Sequence, residues 1–152
     1  IVWRTTTVMT LFILILNPVM AQELLRNDVS IDVGISSSCL MGCISYDRQV
    51  SEKIDLGITV TPLLLFNGGG IYGQYTIFSS EKSILLIEPS AGVIWSILSR
   101  EIFYNTGVEL GYERDINEKL YWNAHLGGGI ISYDLDDVGF LPNGRLGIGT
   151  RF

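Results

Sequence analysis

The chain has 152 residues, of which 47% are hydrophobic and 17% charged, with a formal net charge of -6. An acidic chain in which only three of the ten basic residues are lysine carries no footprint for nucleic acid. The length is that of one domain, and two cysteines are too few for a disulfide-rich scaffold.

Residues 1–21 hold a cationic Arg4, an apolar run over 8–16, the helix-breaking pair Asn17-Pro18, and Val19-Met20-Ala21 ahead of Gln22. That is the pattern of a cleaved secretory signal peptide, and its apolar run is too short for a spanning helix. The expected organisation is a leader over 1–21 and one domain over 22–152. Mean hydropathy is positive, yet nothing after the leader approaches the length of a transmembrane helix.

The domain instead alternates with period two, the signature of strands with two unlike faces. Over 29–36, Val29, Ile31, Val33 and Ile35 oppose Ser30, Asp32, Gly34 and Ser36. The next segment, up to Val50, alternates poorly and starts at Cys39 or at Cys43. Segments 54–64, 70–78, 83–96, 102–113 and 119–132 repeat the pattern. In 102–113, Tyr104, Thr106, Val108, Leu110 and Tyr112 oppose Asn105, Gly107, Glu109 and Gly111. Tyr104 and Tyr112 are eight strand steps apart, about 20 Å of depth for a strand tilted near 40°. The polar faces are built of Gly, Ser, Thr, Asn and carboxylates rather than long solvating side chains, which favours a polar barrel interior over a watery exterior.

Three connections share a weak repeat: Ser51-Glu52-Lys53, Ser80-Glu81-Lys82 and Asn117-Glu118-Lys119. Each reads as a short polar hairpin turn. The alternate connections, 37–42, 66–69, 96–100 and the longest, 133–143, fall on the opposite side. Three turns and four loops make eight strands. The last segment sets Leu146, Ile148, Thr150 and Phe152 against Arg145, Gly147, Gly149 and Arg151.

Leader, alternation and terminal Phe together resemble the small eight-stranded outer-membrane barrels of the OmpA transmembrane-domain and OmpX type. The resemblance implies an all-β, antiparallel, up-and-down transmembrane barrel of a Gram-negative cell. It also implies contact with outer-membrane lipids and lipopolysaccharide, and a monomer. Leu146, Ile148, Thr150 and Phe152 would then serve as an assembly signal for the barrel assembly machinery. Only 133–143 has loop length, which argues against an adhesin.

Candidate chemistry is sparse. Asp32, Asp55, Glu88, Glu109, Asn123 and His125 fall on the inner face, with Arg145 and Arg151 as their main cationic partners, and read as a lumenal polar network. His125 with Asn123 and Glu109 could belong to a hydrolase constellation, but no serine accompanies it at mid-strand. The inner glycines leave room for water and a narrow leak. Cys39 and Cys43 would lie about 13 Å apart in a continuous strand, too far to bond, but could close a hairpin if 40–42 form a loop. They are a candidate disulfide rather than a metal site. Asp134, Asp136 and Asp137 read as a solvated acidic loop, lacking calcium-loop spacing. The expected function is structural or surface-interacting, without catalysis, cofactor or metal. A barrel enzyme acting on lipid A or phospholipid, and a secreted lipocalin-like barrel with its apolar faces inward, are the alternatives.

Overall fold

The computed structural model describes residues 26–37, 39–62, 66–96, 101–133 and 137–152. The expected leader, 1–21, lies outside them. The described residues form eight strands: β1 (Asn27–Ile35), β2 (Leu40–Ser51), β3 (Ile54–Pro62), β4 (Phe66–Ser79), β5 (Ser83–Ser96), β6 (Ile102–Asp115), β7 (Leu120–Tyr133) and β8 (Asp137–Arg151). Each pairs antiparallel with the next, and β1 pairs with β8, so the sheet closes into a barrel. Phe152 and Asn27 complete that seam by exchanging two backbone hydrogen bonds, at 2.9 and 3.0 Å. Closure removes every sheet edge.

Alternation decides which side each residue takes. Ile31, Leu126 and Phe140 point outward and are 63%, 73% and 77% exposed, whereas Asp32, Glu88 and Glu109 point inward and are fully buried. The barrel is thus apolar outside and charged inside. Tyr46, Tyr75, Tyr112 and Trp122 lie outward near the end that carries the three short turns, and Trp95, Tyr104 and Phe140 near the other end.

Three features differ from the sequence reading. Residues 137–143 are strand, not loop: Val138, Phe140 and Pro142 pair with Ser132, Ile130 and Gly128, so only 134–136, outside the described residues, separate β7 from β8. Gly139, Pro142 and Asn143 look like turn residues, but Pro142 faces outward and the ring of Phe140 packs over Gly128. Likewise Phe66 to Gly69 begin β4: Phe66 pairs with Ser96 of β5, and Asn67 to Gly69 pair with both β3 and β5.

The third concerns the first hairpin. Cys39 and Cys43 are disulfide-bonded, with Cα atoms 5.5 Å apart. Residues 40–42 nevertheless stay paired with β1, as Leu40 with Ile35, Met41 with Gly34 and Gly42 with Val33. The loop-or-strand alternative fails: Met41 adopts a φ of 64° and its register partner Gly34 one of 147°, local departures from extended backbone that leave the ladder intact. A side chain at Gly34 would collide with the backbone of β8.

Candidate functional site

Among the described residues, buried polar side chains gather in the lumen, at three levels. At the turn end, Arg151 pairs with Glu113 at 2.7 Å and with Asp115, and lies 3.5 Å from Asp28. Arg26, just ahead of β1, bridges Asp28 at 3.1 Å and Asp55 at 3.3 Å. The Arg151 guanidinium also stacks on Tyr121, 4.2 Å from the ring centroid. Asp47 accepts a 3.0 Å hydrogen bond from the Tyr72 hydroxyl. Arg151 thus pairs with inner carboxylates as expected, and Asp55 has Arg26 as its cationic partner, a residue the sequence reading did not assign.

The middle level is centred on Arg145. Its guanidinium donates to Glu109 at 3.0 Å and to Glu88, and lies 3.7 Å from Asp32. Asp32 also accepts from Ser30 at 2.8 Å and Ser45 at 3.3 Å, and Gln74 donates to Glu88 at 3.0 Å. His125 Nδ1 sits 3.2 Å from the Arg145 guanidinium, 3.7 Å from Glu88 and 3.8 Å from Glu109. One arginine thus holds three carboxylates from three strands. Such a buried arrangement is costly to break, since removing the cation strands unpaired charge.

Glu88, Glu109 and His125 offer three ligand atoms within 4.8 Å of one another, a spacing a metal could use. Arg145 already supplies the cation among them, so the arrangement is an ion-pair cluster. Asn123 is buried on the same face two residues from His125, but its side-chain oxygen has no partner among the described residues. The polar contacts of His125 among the described residues are with carboxylates and a guanidinium, and none is a hydroxyl or thiol. A hydrolase constellation needs a nucleophile at that position.

At the loop end, the β1–β2 connection folds inward. Ser36, Ser37 and Cys39 are fully buried, and Asn143 donates to the Ser37 hydroxyl at 3.3 Å. A Cβ on Gly92, Gly107 or Gly129 would collide with Ser37, so these glycines are the seat of the hairpin tip. Elsewhere Tyr72 covers Gly57, Tyr121 covers Gly149, and Leu86 with His125 covers Gly111. The inner glycines are sockets for neighbouring side chains, not the water space expected from composition. Leu40, Ile94, Phe103, Ile131 and Leu141 surround a small apolar pocket beside the tip.

Sequence reasoning missed Arg26, Asp28 and Asp47 as members of this network, whereas alternation already put Tyr72 and Tyr121 on the inner faces of their strands. Asp28 is one alternation step before Ser30, and Glu113 lies on the inner face already assigned to β6. Asp47 was hidden by the irregular start of β2, although its register with Gly57 on β3 places it inward. Asp134 and Asp136 lie outside the described residues, while Asp137 opens β8 opposite Tyr133. Leu146, Ile148 and Phe152 are exposed on the outer wall, with Thr150 beside them.

No family model and no curated protein matches the sequence. Among solved structures, the crystal structure of Neisserial surface protein A (NspA) is similar at a TM-score of 0.49 and 14% identity, over 84% of this chain and 94% of that one.

Proposed function

We propose that the chain is an integral outer-membrane barrel of the small OmpA- and OmpX-like type, exported by residues 1–21, with a structural or surface-interaction role and no catalytic activity. The observation that carries this reading is the inversion of polarity: the outward positions of all eight strands are dominated by apolar side chains, while the ion pairs lie inside. A soluble monomer does not tolerate so large an exposed apolar belt, and a lipid-facing barrel requires it. A lipocalin-like carrier would place its apolar residues around an inner ligand; here the inner wall is charged and packed.

Its partners on this reading are outer-membrane lipids, lipopolysaccharide and the barrel assembly machinery, which would read Leu146, Ile148, Thr150 and Phe152; the barrel is a monomer. The test is expression in a Gram-negative host, followed by fractionation and lipid analysis. Extraction by detergent but not by salt, with lipid A and phospholipid acylation identical for wild type and His125→Ala, is the expected result. A salt-extracted, detergent-free monomer would remove the membrane role. An acylation change abolished by His125→Ala in a folded barrel would make it an enzyme.

A further inference from the structure

Charge on the described outer wall is confined to one end of the barrel. Among the described strands, the outward positions carry two charged residues, Arg48 on β2 and Arg114 on β6, and both are cationic and lie at the turn end. The described charged residues flanking the strands at the loop end, Glu101 and Asp137, are acidic.

Arg114 is exposed and has Ser83 on β5 and Trp122 on β7 as its direct register partners. The Ser83 hydroxyl shares a 2.9 Å hydrogen bond with the Tyr112 hydroxyl, and Tyr112 packs on Trp122 with ring centroids 5.4 Å apart. The two adjoining turns bring exposed Lys82 and Lys119: the carbonyl of Lys82 accepts from the amide of Asp115, and that of Lys119 from Arg151. One guanidinium, two ammonium groups, two hydroxyls and an indole therefore border one stretch of wall at the level where the apolar belt ends. Aromatics and cations at that level match the interfacial zone of a bilayer, where phosphate oxygens lie. Glu81 and Glu118 stand in the same turns, so the region has no diffuse cationic field; recognition requires a localised phosphate beside Arg114.

We propose that the outer face of β5, β6 and β7 at the turn end binds the phosphate of an anionic phospholipid headgroup, with Arg114 as the principal ligand and Lys82 and Lys119 as flanking cations. The proposal rests on the membrane reading above. Arg114 supplies a planar, fixed fork for the phosphate oxygens, the lysines add charge from the turn side, and the Ser83–Tyr112 hydroxyl pair offers a neutral donor.

The experiment is native mass spectrometry of the detergent-solubilised or nanodisc-held barrel exposed to phosphatidylcholine mixed with phosphatidylglycerol, for wild type, R114Q, K82Q/K119Q and K53Q. The expected result is preferential retention of phosphatidylglycerol, weakened about fivefold for each cation removed from the site. K53Q, in the β2–β3 turn, should leave retention near wild type. Equal retention of the two lipids by a folded, inserted wild-type barrel would overturn the headgroup site while leaving the membrane reading intact. Equal weakening by K53Q and R114Q would overturn it as well. A wild-type protein that remains a folded monomer without lipid or detergent would defeat both readings. A heat-shift gel reports folding of each variant, and R114K, which keeps the charge without the fork, should be intermediate.

Discussion

Tyr72 on β4 lays its ring directly across Gly57, its register partner on β3, so that a methyl group on Gly57 would overlap the ring carbons. The same ring then donates its hydroxyl to Asp47. Gly57→Ala is therefore expected to destabilise the barrel by about 1–3 kcal/mol through overpacking. Gly73→Ala, also on this strand pair but facing outward, meets Leu56 at 3.5 Å and the Asp55 carbonyl at 3.9 Å, ordinary contacts, and should cost far less. Urea titration of the folded form by tryptophan fluorescence distinguishes the two, and equal losses would contradict the socket role.

Arg145 is the second point of strain. Arg145→Gln leaves Glu88, Glu109 and Asp32 without their shared cation and should cost about 3–5 kcal/mol. Adding Glu88→Gln to that variant removes one stranded charge and should recover part of the loss. A double variant no more stable than Arg145→Gln in the same titration would show that the cluster is not organised by charge.

The Cys39–Cys43 bond closes a very short loop, so its chain-entropy contribution is about 2 kcal/mol. Protein folded through an oxidising compartment should show no free thiol on alkylation under denaturing conditions, and Cys39→Ser/Cys43→Ser should lower stability by that order. Two labelled thiols in oxidised material would contradict the observed pairing.

Much of this architecture was legible in the sequence, because a period-two pattern fixes both the strand and the side each residue faces. The strand faces of β5 to β8 and the inward placement of Asp32, Glu88, Glu109, His125 and Arg145 follow from it directly. What alternation could not show was contact across the lumen. Arg26 lies outside any strand pattern, and its bridge from Asp28 to Asp55 depends on how β1 and β3 curve toward each other. The bonding of Cys39 to Cys43 within a continuous ladder was hidden because a φ of 64° at Met41 is a local choice that residue type does not announce. The span 133–143 was read as a loop, although Gly139 and Pro142 within it sit in a paired strand.

Outer-wall polarity sets a third scale of cost. Val108 is outward on β6, midway between Tyr104 and Tyr112. Val108→Arg should lose about 2–4 kcal/mol if that face meets hydrocarbon. Asp137→Asn, at the loop-end start of β8, should be nearly neutral. Folding titrations into lipid vesicles measure both, and equal tolerance would argue against a lipid-facing wall.

The most direct test uses the two native tryptophans of the described barrel. Trp95 and Trp122 both point outward, at opposite ends of the wall. Residues 22–152 folded into vesicles should lose much of their tryptophan fluorescence to lipids brominated along the acyl chains and little to aqueous iodide. Strong iodide quenching with no effect of brominated lipid, in a protein that stays folded and monomeric without detergent, would contradict the account.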